Sequence, residues 1–516
     1  MISHPRKVLN SAQMGAVDQA TIESGIPGLI LMENAAHRCV EYLEEKFAPL
    51  DSHRIVVVCG KGNNGGDGLA IARQIFTRFH PRELRVVLTA DPAELKGDAA
   101  KNLAMLRAAG LQEYRDFGPE MRTATLVIDA VAGTGLTGPA RGDALNAIRE
   151  INGAFPLAKV FAVDLPSGLS GGSGAVAGEY VRADATVTFT APKICHAAPP
   201  AANLMGDLRI APIGSPAALY ENDAAITLAL ITPASIARLF APRVKDSNKG
   251  KYGHILIVAG SRGKSGAAVM AGLAALRAGA GLVTIACPES ALDAIAAHSP
   301  ELMTEPLPAK AGPAIERIRE LAETRTLVAI GPGIGTGDAT KEIVLSLFNT
   351  LEKPMAIDAD ALNCLAGKSW KAGEHLRVLT PHPGEMSRLA NRSISEIQAD
   401  RIAAARAFAA ERNVTVVLKG EGTVIGFPDG RVWINPTGSP AMATGGTGDI
   451  LTGMTAGLLG QFPRDADTAI AGAVYLHGLA GEIAARHLME QPVIATDLLR
   501  YLGEGIRAIR NVPHSF

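Results

Sequence analysis

Short apolar runs punctuate this chain at intervals of roughly 30 residues, and several of them end on glycine or an acid. In the first half they read RIVVVCG (Arg54–Gly60), LRVVLTA (Leu84–Ala90), TLVIDA (Thr125–Ala130), KVFAVDLP (Lys159–Pro166) and ATVTFTAP (Ala185–Pro192). GDLRIAPIG (Gly206–Gly214) follows as a final edge strand. Runs this short and this uniformly apolar suit strands buried on both faces. Ala- and Leu-rich amphipathic stretches between several of them supply crossover helices, so the spacing predicts a parallel sheet covered on both sides. An opening helical stretch runs from Ser11 to about Lys46.

A second series begins with HILIVAG (His254–Gly260). It continues through GLVTIAC (Gly281–Cys287), TLVAIGPG (Thr326–Gly333), PMAIDADAL (Pro354–Leu362), RVLTPHPGE (Arg377–Glu385) and VTVVLKG (Val414–Gly420). TVIGFPDGRVWINP then reads as a hairpin turning at Pro428–Gly430. The segment ALYENDAAITLALITPASIARLFAPRVKDSNKGKYGH between the series has no long hydrophobic pattern and ends basic and polar, which puts the boundary near residues 215–230. With 516 residues the chain exceeds one hydrophobic core, so the expectation is two α/β domains, residues 1–220 and 225–516.

Composition narrows the function classes. The formal net charge is -1, so no overall field draws the protein to nucleic acid or to an anionic membrane. Aromatic residues, at 4%, are too few for a base-stacking platform. Five scattered cysteines with no CxxC pair read as reduced, buried thiols of a cytoplasmic protein. The N-terminal residues lack an apolar signal region and no run of about 18 apolar residues occurs, so neither secretion nor a membrane span is expected.

Chemistry-bearing residues gather where the predicted strands end. GKGNNGGDG follows RIVVVCG directly and opens a helix. At such a junction outward N–H groups and the helix dipole favour an anion, and Asn63, Asn64 and Asp67 add polar side chains. The bland alternative is a tight turn with Asp67 as N-cap. VIDAVAGTGLTGP puts Asp129 at a strand end before another glycine loop, and VDLPSG does the same with Asp164 and Ser167. One such acid is as readily a helix cap; several beside two glycine loops mark a ligand site at the carboxyl edge of a sheet.

In the second half, ATGGTGDILTG packs glycines before a long apolar helix and sets Asp449 at its mouth. Asp449 is an N-cap, a neighbour of a metal ligand, or a base that orients or deprotonates an attacking hydroxyl. VVLKGEGTVI places Lys419 at a strand end, where a solvated surface charge is the plain alternative. IGPGIGTGD adds a glycine loop, IDADAL the pair Asp358 and Asp360, and LTPHPGEM the residues His382 and Glu385. His382 is either structural or a site edge, and Glu385 either a helix-start acid or an aid to magnesium through water.

GNNGGDG, DAVAGTGLTGP and DLPSG, in that order, resemble the NAD(P)HX epimerase family over about residues 10–215. The resemblance implies a Rossmann-like α/β/α sandwich that interconverts the R and S forms of hydrated NADH and NADPH at carbon 6 of the nicotinamide. It implies that Asn63, Asn64, Gly65, Gly66 and Asp67 hold the pyrophosphate. Gly133, Thr134, Gly135, Leu136, Thr137, Gly138 and Pro139 would close over the same ligand. Asp164 would be the acid/base group, and Asn64, Asp129 and Ser167 would ligate potassium.

KYGHILIVAGS, SGAAVMAG, GPGIG, IDADAL, LTPHPGE, LKGEGT and GGTGD are similar to the NAD(P)HX dehydratase branch of the ribokinase superfamily over about residues 230–510. That resemblance implies a ribokinase-like α/β/α domain using magnesium and ADP, with ATP the less favoured donor. Lys419, Gly420, Glu421, Gly422, Thr423 and Gly448 would bind the nucleotide; Gly266, Ala267, Gly333 and His382 would contact the hydrated dinucleotide. Asp449 would face its carbon-6 hydroxyl. The joined expectation is a bifunctional, cytoplasmic, homo-oligomeric repair enzyme acting on NADHX and NADPHX. The alternative is a ribokinase-type small-molecule kinase with a regulatory N-terminal domain.

Overall fold

The structure, a computed structural model, describes residues 4–136 and 138–511. Its contacts divide the chain into two compact units, one holding Lys7–Ile226 and the other the chain from Thr227 onward. In the first unit the opening helical stretch is two helices, α1 (Ser11–Glu23) and α2 (Gly28–Phe47), because the Ser-Gly-Ile-Pro at residues 24–27 interrupts it. Seven strands follow: β1 (Arg54–Cys59), β2 (Glu83–Leu88), β3 (Glu113–Tyr114), β4 (Leu126–Ala130), β5 (Lys159–Val163), β6 (Ala185–Phe189) and β7 (Asp207–Ala211). They lie in the order β3-β2-β1-β4-β5-β6-β7, every pair parallel, which is a Rossmann-like arrangement extended at one edge.

Alternation along β1 divides the core between the faces of this sheet. Ile55, Val57 and Cys59 pack with α2 and with α3 (Asn63–Phe79), whereas Val56 and Val58 join the opposite cluster with Ile148 and Ile151. The central strands therefore have no wet face, and only their ends are free to hold chemistry.

Ten strands of the second unit lie between Leu228 and Ile434: β8 (Leu228–Leu230), β9 (His254–Val258), β10 (Leu282–Pro288), β11 (Met303–Leu307), β12 (Leu327–Ile330), β13 (Met355–Ile357), β14 (Arg377–Leu379), β15 (Thr415–Leu418), β16 (Val424–Gly426) and β17 (Val432–Ile434). Their order is β8-β17-β16-β15-β14-β13-β12-β9-β10-β11. The run from β15 to β11 is parallel; β15-β16-β17 is antiparallel, with the hairpin turn where the sequence places it. Two elements depart from the sequence expectation. The segment without long hydrophobic pattern contains β8, which pairs parallel with β17, and β11 (MTEPL) is a partly exposed edge strand absent from the apolar runs of the sequence.

Helices α4 (Ser265–Arg277) and α6 (Thr447–Gln461), with the short α5 (Pro383–Ala390) between them in sequence, carry several of the candidate residues of this unit. The glycines of LTGMTAGLLG let α6 press on α4: a Cβ at Gly453 would lie 2.0 Å from the Ala271 carbonyl oxygen, and one at Gly457 would lie 2.6 Å from that of Ala275. Close backbone contact fixes the height at which the first turn of α6, and hence Asp449, meets the strand ends. The next helix, α7 (Ala466–Leu488), is long and apolar enough to cross a membrane, but 83% of its apolar window is buried within this unit, as in a core helix.

Candidate active sites

The first site is built on the carboxyl ends of β1, β4 and β5. α3 starts at Asn63 with Gly62 as its N-cap, so Asp67 lies in the second turn and is not a cap. The glycines of GNNGGDG serve two ends. A Cβ at Gly65 would lie 1.8 Å from the Gly60 carbonyl oxygen and one at Gly66 2.7 Å from the Met32 sulfur, so these two are demanded by packing. Gly62 meets nothing and leaves the entrance of the helix open. Across it runs the loop of residues 131–141, holding Gly133, Thr134, Gly135, Leu136, Gly138 and Pro139; Thr137 lies outside the described residues. Gly133 stands against Asn64, whose amide carbon would be 3.2 Å from a Cβ there.

Asn64, Asp129 and Ser167 are all buried. The Ser167 backbone N–H donates to Asp129 Oδ2 at 2.8 Å and its hydroxyl to Oδ1 at 2.6 Å. The Val131 N–H adds a third bond to Oδ1 at 3.2 Å. Burial pushes the Asp129 carboxyl up to about 6, and these bonds hold it from going higher. Asn64 differs, since neither its Oδ1 nor its Nδ2 meets a protein partner although both are buried. A buried amide oxygen without a donor beside a bonded carboxylate is an oxygen set suited to a large monovalent cation. Among the described residues no group of three or more His, Cys, Asp or Glu side chains is arranged to hold a metal.

Asp164 directly follows β5 with φ +67, a left-handed conformation that turns the chain off the strand line. Lys193, itself buried, donates to Asp164 Oδ1 at 2.7 Å, to Thr188 Oγ1 at 2.8 Å and to the Phe189 carbonyl at 3.1 Å. The Thr188 hydroxyl donates to the same Asp164 oxygen at 2.9 Å. Burial alone would raise the Asp164 carboxyl, but the Lys193 charge and these bonds outweigh it and hold the group below its ordinary value. His196 accepts the Lys193 N–H on Nδ1 at 2.9 Å, so its Nε2 carries the proton and donates to the Asp164 carbonyl at 2.9 Å. Burial and Lys193 push His196 down to about 4, so the ring is neutral.

Lys193, Thr188, His196 and Asp18 of α1 escape a reading of the sequence. Lys193 sits 29 residues beyond its carboxylate. Its one local signal is a lysine set among apolar residues, APKIC, just after a strand.

The second site gathers at the carboxyl ends of β9, β12, β13, β14 and β15. Lys419, at the end of β15, donates to Asp358 Oδ1 at 2.7 Å and lies 3.9 Å from Glu385 Oε2. Thr452 of α6 donates to the other Asp358 oxygen at 2.6 Å. The strand-end lysine is thus largely buried and paired. A Cβ at Gly448 would stand 3.4 Å from Lys419 Nζ and 3.8 Å from Asp358 Oδ2, so the first turn of α6 rests on this ion pair. Gly446, at φ +97, is the N-cap of α6 and Asp449 falls in its first turn, half-buried, without being the cap. Burial and the charge of Asp358 push the Asp449 carboxyl up to about 7, with Lys419 opposing.

Asp360 faces elsewhere, accepting Lys264 Nζ at 3.1 Å and the Gly335 N–H at 2.8 Å, so it ties the SGAAV turn to the GPGIG loop. Between the two acids Ala359 adopts φ +50 and ψ -123. Gly266 and Ala267 lie in the first turn of α4, and Gly333, at φ +67, faces that turn: a Cβ there would lie 3.1 Å from the Ala267 Cβ. His382 is the N-cap of α5, on the exposed rim, and accepts the Gly384 N–H on Nδ1 at 3.0 Å, while Glu385 accepts the His382 N–H at 2.8 Å. Glu385 is therefore a capping acid that also borders Lys419. Gly420, Glu421, Gly422 and Thr423 form a tight loop closed by the Thr423 hydroxyl on the Gly420 carbonyl at 2.9 Å. Arg401, another residue the sequence does not single out, braces it by donating to the Leu418 carbonyl at 2.9 Å.

Two family profiles match the chain, one within each unit. The profile described as NAD(P)H-hydrate dehydratase covers residues 255–503, and that described as YjeF-related protein N-terminus covers residues 28–195. A bifunctional NAD(P)H-hydrate repair enzyme of Moorella thermoacetica is 42% identical over 513 residues, spanning 96% of each chain. One of Escherichia coli is 35% identical over 454 residues, spanning 88% of this chain and 85% of its own. Among solved structures, an ADP/ATP-dependent NAD(P)H-hydrate dehydratase of Bacillus subtilis, co-crystallised with ATP and Mg2+, is 35% identical with a TM-score of 0.50. It covers 54% of this chain and 98% of its own.

Proposed function

The chain belongs to the family of bifunctional NAD(P)H-hydrate repair enzymes, and from that premise we propose how its two sites divide the repair. It restores hydrated NADH and NADPH: one activity interconverts the R and S epimers and the other dehydrates the S form at the expense of a nucleotide. We assign epimerisation to the unit of Lys7–Ile226 and dehydration to the unit that follows. The donor is ADP, giving AMP and phosphate, in preference to ATP.

In the dehydratase, residues 419–423 and Gly448 cradle the nucleotide, while Gly266, Ala267, Gly333 and His382 hold the hydrated dinucleotide. The observation that carries this reading is Asp449, half-buried at a helix start, with the neighbouring lysine taken by Asp358. A carboxyl pushed up to about 7 is poised to accept a proton near neutrality. Asp449 takes the proton of the carbon-6 hydroxyl, whose oxygen attacks the terminal phosphorus of ADP and displaces AMP. The carbon–oxygen bond of the phosphate ester then breaks with the electrons leaving on phosphate, pushed by the ring nitrogen. Loss of a carbon-5 proton from the resulting iminium restores the dihydronicotinamide. Magnesium bound with the nucleotide would rest mainly on phosphate oxygens, with Glu385 and Asp358 the nearby acids, and would neutralise the transferring group's charge.

In the epimerase, the helix start at Asn63–Asp67 and the loop of Gly133–Pro139 hold the dinucleotide. Asp164, kept ionised by Lys193, accepts a proton from the carbon-6 hydroxyl. Asn64, Asp129 and Ser167 would hold potassium, a fixed positive charge at the strand ends, and the unpartnered Asn64 oxygen supports that assignment. We extend the reading to a cytoplasmic homo-oligomer that needs neither nucleic acid nor membrane.

The test separates the epimers of NADHX by chromatography and follows each with ADP, with ATP and without nucleotide. Repair of both epimers with ADP, and R/S interconversion alone without it, is expected. A stable phosphorylated product in place of NADH would turn the reading toward a small-molecule kinase.

A further inference from the structure

Inverting one carbon centre and returning the hydroxyl to it calls for two proton-handling groups in opposite states, a base and an acid. On the epimerase reading above, Asp164 is the base, and its counterpart has to be found among the groups around it. Lys193 is a poor candidate because its ammonium protons are committed to Asp164, Thr188 and the Phe189 carbonyl. His196 is excluded because both ring nitrogens are engaged, one by the Lys193 N–H and the other by the Asp164 carbonyl.

Asp67 is different. It lies one turn beyond Asn64 on α3, is only 9% exposed, and among the described residues its carboxyl makes no hydrogen bond with the protein. Asp129, also buried, accepts three. A carboxylate buried without a donor is costly, whereas a protonated carboxyl is far less so and has an O–H to give. The charged groups acting on Asp67 are Asp164 after β5, Asp18 of α1 and Lys193 after β6, and the thiols of Cys39 of α2 and Cys59 of β1 lie within its electrostatic reach. Burial first, and the charges of Asp164 and Asp18 after it, hold its proton well beyond the ordinary carboxyl range against the pull of Lys193.

We propose that Asp67, carrying its proton, is the general acid paired with Asp164 in epimerisation. Asp164 takes the proton of the carbon-6 hydroxyl, the bond from carbon 6 to the ring nitrogen breaks, and carbon 6 becomes an aldehyde. The electron pair of the broken bond stays on nitrogen, which takes the Asp67 proton. Rotation about the bond between carbons 5 and 6 offers the other face of the aldehyde. Ring closure returns one proton from Asp164 to oxygen and one from nitrogen to Asp67, so atoms and charge balance without a further reactant. This gives Asp67 a role beyond holding the pyrophosphate.

The test is the pH–rate profile of R-to-S interconversion in the full-length protein without nucleotide, with kcat and KM resolved. Asp67→Asn is expected to lower kcat by about a hundredfold in addition to any rise in KM from lost binding, and to abolish the decline of rate at high pH. Asp67→Glu is expected to restore part of kcat and displace that decline. A rise in KM alone, with kcat and profile kept, makes Asp67 only a substrate holder and overturns the proposal. Loss of the high-pH decline in Asp18→Asn, with Asp67→Asn retaining it, assigns the acid to Asp18 and overturns it too. Should Asp67→Asn fail to fold by circular dichroism, the displacement in Asp67→Glu decides alone, and an unmoved profile there sinks the idea. Full activity in Asp164→Asn would instead bring down the epimerase reading itself, whatever Asp67 does.

Discussion

Two lysines, Lys193 in the first unit and Lys419 in the second, each hold an aspartate at 2.7 Å at the carboxyl edge of a parallel sheet. Lys193 grips Asp164, the residue proposed to take a proton, and keeps it ionised. Lys419 grips Asp358 instead, and Asp449 is left under burial and the Asp358 charge with its carboxyl near neutrality. The same pair of side chains therefore produces opposite electrical states, depending on which acid the lysine reaches. In the first site the base is held toward its charged form and an acid must be found elsewhere. In the second the base switches with pH, and the fixed positive charge lies one residue contact away.

The comparison breaks most sharply at the bases. Asp449→Asn is expected to reduce nucleotide-driven recovery of NADH by about ten-thousandfold while R/S interconversion proceeds; dehydration at the normal rate would remove Asp449 from the chemistry. Asp164→Asn should do the reverse, slowing interconversion by about a thousandfold and leaving dehydration of the pure S form intact.

Removing the grip itself has a smaller, structural effect. Lys193→Met leaves a buried carboxylate unpaired and should cost the first unit about 3 kcal/mol in denaturant unfolding. It should also move the acid limb of epimerisation upward, because Asp164 is no longer held low. An unchanged limb would mean that the pair is only a brace.

The smallest effect sharpens the second site. Wild-type dehydration should fall as pH drops through about 7, since Asp449 must be unprotonated to accept a proton. Asp358→Asn removes a negative neighbour and frees Lys419, and both changes lower the Asp449 pKa. The limb should move down by roughly one pH unit. A limb that stays near 7 would assign the shift to burial alone.

Much of this was legible along the chain. Strand runs such as RIVVVC and HILIV lie where their apolar content puts them, because a doubly covered parallel strand has one composition throughout. Edge strands β3 and β11 are short or exposed and carry no such signature. β8 is three residues long and its partner β17 is about 200 residues further on, so nothing local announces it. Asp129, Asp164 and Asp358 stand out because they close apolar runs, and Asp449 because it follows a glycine loop. Lys193, Thr188 and Arg401 do not, since what makes them significant is a contact made only by the folded chain. The motif glycines carry a packing signal as well: a Cβ at Gly65 or Gly453 would run into neighbouring backbone.

Ala359 has a consequence of its own. Its φ of +50 reverses the chain between two aspartates, so that Asp358 reaches Lys419 and Thr452 while Asp360 reaches Lys264 and Gly335. A non-glycine residue held there costs on the order of 1–3 kcal/mol, which the surrounding contacts must outweigh. The segment is thereby locked in register. A slip of one residue would carry alanine into an acid's place, and a slip of two would set one acid in the other's place and leave its own without a carboxylate, so this turn can change in side chain far more readily than in length.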